Sequence, residues 1–585
     1  MAPGSLPPSP DPLLLLRSLS PLLLLTSALL TGCGGAERGG APPPESAPLA
    51  PVATSQHGMV VSGSALATRA GVEVLEEGGN AMDAAVATAF ALAVVEPTQS
   101  GLGGRTQVVF RTAEGRNGGI DGATEAPAGY RSPETPLGEH GWGTVAIPGT
   151  VAALVRALEE EGRLPLSEVM APALRYAREG FPLPAPEAAR LAGAAGEFAA
   201  DPGARLHFLR EDGSPREAGE TWVQPVLAAL LERIGREGTG AFYSGETAAT
   251  MARDIQGGGG AVTLADLEGY RTRDGLVVEG SYRDLQLVGT HLPASGATTI
   301  QALQVLEHLD AAGGSEGEWA GAVGQALLLA FRDRDEVRHM EPEGAAQRLV
   351  SRARAAELAA EVRRPAEAPS AGSGSPSPET GSAGVPSPGP AGLEDLESPF
   401  TTHVSVADRE GMVVALTQSL GPTGGARVAS PELGFLYATT LGGYLGEVRP
   451  GERPFSSQSP LLVLREGRPV LVLGGAGARR IISAAVAVLS RWADGGMSIQ
   501  EAMAAPRLHA TPGLLTLEAM DGAPWPSATA DELEAVGLRM ETRPEGSWFA
   551  RLNIIEMDSH RFTGIADHRW EGGGAGGPSP GALPD

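Results

Sequence analysis

Apolar positions along the chain fall into stretches of helical period and of strand period that alternate. Between Ser64 and Val94 they recur at helical spacing, interrupted at Gly78-Gly79-Asn80, which reads as the end of one helix and the start of another. Ala81 to Val95 is so uniformly small and apolar that it predicts a helix buried on every side. Gln107–Arg111 and Gly118–Asp121 alternate as strands around a Glu114-Gly115 turn. Amphipathic helices are predicted between Val151 and Glu307, with Leu154, Leu158, Val169, Leu174 and Ala177 on their buried faces. From about Pro365 to Pro390 the pattern disappears into Pro, Gly, Ser, Ala and Glu, a composition that cannot bury enough apolar surface to order itself. Strand alternation then returns abruptly in Thr401–Val406, turns at Asp408–Gly411 and resumes over Met412–Thr417. A further strand over Val470–Leu473 leads into a helix beginning near Arg480.

Composition removes several chemistries. The 585 residues include 44 basic side chains, every one an arginine, against 70 acidic ones. Without lysine there is no Schiff-base or pyridoxal-phosphate chemistry, no phosphate-loop lysine and no Ser-Lys dyad. A bias toward arginine, alanine, glycine and proline codons accounts for the absence without any functional cause. The single cysteine, Cys33, excludes an intrachain disulfide and any multi-cysteine metal site. The ten histidines show no paired ligand spacing, so neither a metal nor another cofactor is expected. A net charge of -26 argues against nucleic-acid partners.

The amino terminus reads as an export signal. An apolar stretch, Ser18–Leu30, follows Arg17 and ends in Leu30-Thr31-Gly32-Cys33, which resembles a bacterial lipobox. Cleavage before Cys33 and lipidation of its thiol would tether the protein to a membrane on the periplasmic side, at the outer membrane because no aspartate follows the cysteine. An ordinary cleaved signal with a chance cysteine is the alternative. The expected organisation is a signal peptide over 1–32, a flexible tether over 33–51, a first folded region over 52–364, a disordered segment over 365–400, a second folded region over 401–572 and a flexible tail over 573–585.

A disordered run that ends at a strand opening with threonine raises a chemical possibility. A threonine hydroxyl is a poor nucleophile until a base takes its proton, and a free α-amine, with a pKa near 7.7–8.0, is such a base at neutral pH. Cleavage between Phe400 and Thr401 would give one residue both groups. On these residues alone, Thr401-Thr402 is better explained by the β-propensity of threonine at a strand start.

Thr401-Thr402-His403-x-Ser405-Val406-x-Asp408 resembles the segment at which γ-glutamyltransferases (γ-glutamyltranspeptidases) cut themselves into large and small subunits. Similar matches run in the family's order along the chain. They include Gly78-Gly79-Asn80-Ala81-x-Asp83, Val95-Glu96-Pro97, Ser100-Gly101-Leu102-Gly103-Gly104, Pro148-Gly149-Thr150, Arg453-Pro454-x-Ser456-Ser457, the glycine turn Gly474–Gly477 and Ala505-Pro506-Arg507-x-His509. The resemblance implies an α+β fold, the four-layer αββα sandwich of N-terminal-nucleophile (Ntn) hydrolases, built from two fragments of one chain. It implies that Thr401 attacks the amide of a small γ-glutamyl or related substrate and passes the acyl group to water or an amino acid. By the same resemblance Ser419 supports the nucleophile, Ser456 and Ser457 bind the acyl group, and the N–H groups of Gly477 and Ala478 receive the oxyanion.

The departures bear on substrate. Asp121-Gly122-Ala123-Thr124-Glu125-Ala126-Pro127 places Ala123 where the family has an arginine that clamps the substrate carboxylate. Gly421 stands in place of an asparagine, and Ala438-Thr439-Thr440-Leu441-Gly442-Gly443 replaces the polar run whose aspartate holds the α-ammonium. At about 1.5–3 kcal/mol per charge-assisted hydrogen bond, losing both clamps would lower kcat/KM on γ-glutamyl substrates by orders of magnitude. Arg105 and Arg427 are the candidate replacements. The expected function is a γ-glutamyltransferase or glutathione hydrolase-like enzyme with remodelled contacts and its substrate left open; the alternatives are a self-processing amidase acting on another acyl group such as a glutaryl group, and a noncatalytic lipoprotein that keeps the fold.

Overall fold

Two seven-stranded antiparallel sheets face each other in the computed structural model, which describes residues 49–132, 137–311, 313–363, 400–443 and 445–579. The expected signal peptide, Cys33, most of the tether and nearly all of the 365–400 segment lie outside the described residues. The front sheet runs in the order Gly574–Gly576, Gly58–Ser62, Thr402–Asp408, Val413–Ser419, Arg105–Arg111, Asn117–Gly122 and Arg273–Asp274. The back sheet runs Val52–Ser55, Phe562–Ala566, Arg551–Met557, Arg468–Ala476, Leu461–Arg465, Leu285–His291 and Leu276–Tyr282.

Side-chain alternation builds the four layers. Along the central strands of the front sheet, Val404, Val406, Val414 and Leu416 join the core shared with the helices Ala65–Glu76 and Ala81–Val95. Their neighbours Ala407, Val413 and Ala415 point the other way and meet Leu462, Leu464, Val472 and Ile555 of the back sheet. On its far face the back sheet presents Leu461, Val463, Leu471 and Leu473 to the helices Gly296–Leu309, Glu316–Glu336 and Arg480–Ala493. Both faces of both sheets are therefore covered, giving the αββα sandwich that the motifs implied.

The Gly78-Gly79-Asn80 stop separates two helices as expected. Asn80 accepts from the N–H groups of Met82 and Asp83 at 2.9 and 3.1 Å, Asp83 accepts from the Asn80 N–H at 2.8 Å, and all fifteen residues of Ala81–Val95 are buried. Three expectations need correction. Residues 573–585 do not begin as a free tail, because Gly574–Gly576 pairs with Gly58–Ser62 at the sheet edge. The glycines that read as flexibility answer crowding instead: a Cβ on Gly574 would lie 2.9 Å from Ala65 Cα. The tether likewise stops short of residue 51, since the carbonyls of Ala50 and Pro51 accept from Ala575 and Ala566. Within the region read as helices, Leu276–Tyr282 and Leu285–His291 form a hairpin of the back sheet.

Candidate active site

Asp408 sets the register that places Thr401. Its carboxylate accepts from the N–H groups of Glu410 and Met412, at 2.9 and 3.0 Å, and from Ala81 at the start of the buried helix at 2.9 Å. This fixes the turn between Thr402–Asp408 and Val413–Ser419, pairs Thr402 with Gln418 and leaves Thr401 at the open end of the ladder beside Ser419.

Three oxygens meet there. Thr401 Oγ1 and Ser419 Oγ are 3.0 Å apart, and they lie 2.9 and 3.1 Å from the Phe400 carbonyl oxygen. The Gly421 N–H donates to Ser419 Oγ at 3.0 Å. Two hydroxyl protons serve the three contacts, so Thr401 O–H donates either to the Phe400 carbonyl or to Ser419; in the second arrangement Ser419 O–H donates to the Phe400 carbonyl, Gly421 N–H donates to Ser419 Oγ, and a lone pair of Thr401 Oγ1 is left facing the Phe400 carbonyl group. That arrangement draws the proton from the threonine hydroxyl and polarises the adjoining carbonyl through one serine.

Buried charge fixes the backbone behind the nucleophile. Arg551 donates to the Thr401 carbonyl at 3.2 Å and to Gln99 Oε1 at 3.1 Å, with Glu96 as its counter-ion at 3.4 Å. Thr402 Oγ1 donates to Glu96 at 3.1 Å, and the Phe400 ring meets the edge of Trp570 at 6.0 Å. Sequence reasoning gave Glu96 only as a motif match and Arg551 no role, because the two meet across 455 residues.

Thr401 and Ser419 open onto a cavity of about 510 Å³. Ser456, Ser457 and Ala478 also line it. Ser456 Oγ is engaged with Gln458, donating to its side-chain oxygen and accepting from its N–H at 3.1 Å each, while Ser457 is half-buried in the wall. Gly474 and Gly475, expected in the glycine turn, are the end of the strand Arg468–Ala476, and the turn itself is Gly477 and Ala478, with φ of +141° and +53°. Ala478 thus adopts a left-handed conformation at the strand-to-helix junction before Arg480–Ala493, where glycine would be less strained.

The three positions at which the sequence departs from the resemblance behave differently from one another. Ala123 is buried and outside the cavity wall, its carbonyl accepting from Tyr270 Oη at 2.6 Å, and Arg453 pairs with the neighbouring Asp121 and Glu125 at 2.7 and 2.9 Å. Gly421 supports Ser419 through its backbone, and Gly443 lines the cavity without offering a side chain. Five arginines enter the wall: Arg105, Arg334, Arg338, Arg427 and Arg479. The carboxylate among the described lining residues is the exposed Glu139. His140 also lines the cavity, and burial, with Arg427 nearby, holds its pKa below the usual histidine value, so it is neutral at pH 7. Arg427 is committed to Glu197 at 2.6 Å and to the Thr423 carbonyl at 3.0 Å.

A family model described as gamma-glutamyltranspeptidase matches residues 67–577. The chain belongs to that family. It is 34% identical over 548 residues to the Acylase ACY 1 proenzyme of Pseudomonas sp. (strain SE83), spanning 89% of this chain and 93% of that protein. It is 33% identical over 486 residues to the Glutathione hydrolase proenzyme of Escherichia coli (strain K12), spanning 78% and 81%. Among solved structures, cephalosporin acylase from Bacillus halodurans matches with a TM-score of 0.76 at 24% identity, covering 93% of this chain and 99% of that one, which supports the shared fold. This γ-glutamyltranspeptidase-family chain is therefore an Ntn hydrolase, with relatives named for two substrate classes.

Proposed function

We propose that this Ntn hydrolase cleaves itself between Phe400 and Thr401 and then uses Thr401 to transfer, from an amide to water or an amine, an acyl group that carries a distal carboxylate and no α-ammonium. The observation that carries the first half is the hydrogen-bonded triangle of Thr401 Oγ1, Ser419 Oγ and the Phe400 carbonyl. In the precursor, Thr401 Oγ1 attacks the Phe400 carbonyl carbon, the C–N bond breaks as the amide nitrogen takes a proton, and water hydrolyses the resulting ester. The products are a carboxylate at Phe400 and a free amine at Thr401. That amine then serves as the base for the Thr401 hydroxyl, which attacks the substrate amide. The leaving amine departs with a proton, and water or another amine releases the acyl group from the ester. The Gly477 and Ala478 N–H groups at the turn are the proposed oxyanion donors, and Ser456 and Ser457 flank the acyl group.

The second half rests on charge. Among the described residues, five arginines face the cavity against one exposed carboxylate, a field that favours an anionic acyl group and opposes an ammonium within it. The 33% identity to a glutathione hydrolase proenzyme keeps the γ-glutamyl reading as the alternative. Purified protein is expected to run as two fragments with a new amino terminus at Thr401, and a chain that stays intact on prolonged incubation overturns both readings. Of two chromogenic anilides, the glutaryl compound should be turned over faster than the γ-glutamyl one, and the reverse order would restore the alternative.

A further inference from the structure

We infer that Arg105 is the residue that binds the acyl carboxylate, so that the clamp absent at Ala123 is supplied from the start of the neighbouring strand. The inference rests on the acyl-transfer reading of the Thr401 site and adds the residue that selects the acyl group.

Register supplies the first argument. Arg105 opens the strand Arg105–Arg111 and pairs with Ser419, the last residue of Val413–Ser419, in an antiparallel ladder. Directly opposed residues project from the same face with their Cβ atoms about 5 Å apart. Ser419 faces the cavity and touches Thr401 Oγ1, so Arg105 leaves the sheet on the side where the nucleophile acts. Thr401, Ser419 and Arg105 form a row across three successive chain segments. A carboxylate bound at the end of that row is separated from the acyl carbonyl by a short chain, about two to four carbons at roughly 1.5 Å per bond.

Preorganisation supplies the second. Arg105 is 3% exposed, and its Nη1 donates to the Thr439 carbonyl at 3.2 Å. That carbonyl belongs to the Ala438–Gly443 segment, which runs beside the Arg105 strand through the Ala438 N–H to Gly103 carbonyl bond and lines the same cavity, so the guanidinium is held at the cavity wall before any ligand arrives. The other lining arginines start elsewhere. Arg427 is tied to Glu197, Arg334 and Arg338 stack on Phe455 at 5.8 and 5.2 Å, and Arg479 lies over Phe331 at 5.9 Å. None of these four comes from the sheet face shared by Thr401 and Ser419. A planar guanidinium can take a carboxylate through two parallel N–H donors, a geometry that lysine or glutamine does not reproduce.

Binding of free acids tests this without turnover. Calorimetric titration of the self-cleaved wild-type protein should show glutarate binding about ten- to a hundredfold more tightly than butyrate, which lacks the second carboxylate, and more tightly than L-glutamate. Arg105→Gln should bring the glutarate-to-butyrate ratio close to one, and Arg105→Lys should keep part of it. A wild-type ratio near one, or a ratio unchanged in Arg105→Gln, overturns the inference. The extent of self-cleavage reports whether each variant folds. If Arg105→Gln does not cleave, the wild-type ratio and that of Arg105→Lys decide, and an undiminished ratio in the lysine variant counts against a bidentate arginine contact. A protein that binds glutarate through Arg105 yet hydrolyses no glutaryl anilide keeps this inference and sinks the proposed acyl transfer, so the two failures are distinct.

Discussion

Ser419 shows how much a single hydroxyl can organise. Its oxygen is in reach of the Thr401 hydroxyl, the Phe400 carbonyl and the Gly421 N–H at 3.0, 3.1 and 3.0 Å, so it serves nucleophile and electrophile at once. Serine makes all three contacts without a β-methyl group. Removing the hydroxyl loses two hydrogen bonds to the reacting groups, at about 1 kcal/mol each. Ser419→Ala should therefore slow self-cleavage about ten- to a hundredfold, measured as the decay of the full-length band on a denaturing gel. Ser419→Thr should cleave at a rate close to that of the parent. An alanine variant that processes at the parental rate would remove Ser419 from the mechanism.

At the scale of elements, the site depends on how closely the two sheets approach. His403 lies between them, its ring nitrogens 2.8 Å from Thr417 Oγ1 and 3.1 Å from Ser405 Oγ, and a Cβ on Gly474 would sit 2.3 Å from the ring. Because the ring is held on two sides it cannot step away. Gly474→Ala should destabilise the protein by about 1–3 kcal/mol and lower its thermal midpoint, and in a double variant with His403→Ala the two losses should add to less than their sum. An unchanged midpoint in the single variant would show that the sheets have room to spare. Gly474 also marks what sequence could convey. The hairpin from Thr401 to Thr417 was legible because its alternation follows a segment with none, and the helix stop at Gly78-Gly79-Asn80 because its chemistry is local. The hairpin Leu276–His291 was not, since only a few of its outward positions are exposed and it lies among helices. Arg334 and Arg338 escaped for a similar reason. Arg334 lies near the end of the helix Glu316–Glu336 and Arg338 in the turn after it, with no local signal of a site, and only their stacking on Phe455, more than a hundred residues later, turns them into cavity wall.

Across the whole molecule, strands from either side of Thr401 are interleaved. Thr402–Asp408 lies between Gly58–Ser62 and its own hairpin partner, and Val413–Ser419 pairs with Arg105–Arg111, so a cut before Thr401 severs no ladder and the fragments stay joined by the sheets. The same thorough burial makes stability depend on pH. His291, His403 and His509 lie in different parts of the fold, and burial presses their pKa values down to about 4, 3 and 3, helped by Arg334, Arg551 and Arg480 respectively. The sign follows from proton counting. Above the unfolded value near 6.5 each histidine is neutral in both states and contributes nothing to the pH dependence. As pH falls below 6.5 the unfolded chain takes up protons that the native state refuses, so stability drops by up to about 1.4 kcal/mol per pH unit for each histidine until the folded pKa is approached. Glu187, whose pKa burial raises, acts in the opposite direction, so the slope of the parent is not the sum of the three histidines. A difference between variants isolates one group. His509 bonds Ser483 Oγ through Nδ1 at 2.8 Å, a contact that an asparagine can retain. The slope of unfolding free energy against pH between 4.5 and 6.5 should be shallower in His509→Asn than in the parent by about one proton, whatever the variant's stability at neutral pH. Parallel slopes would mean that His509 takes up its proton in the native state, and that the pocket around it admits charge after all.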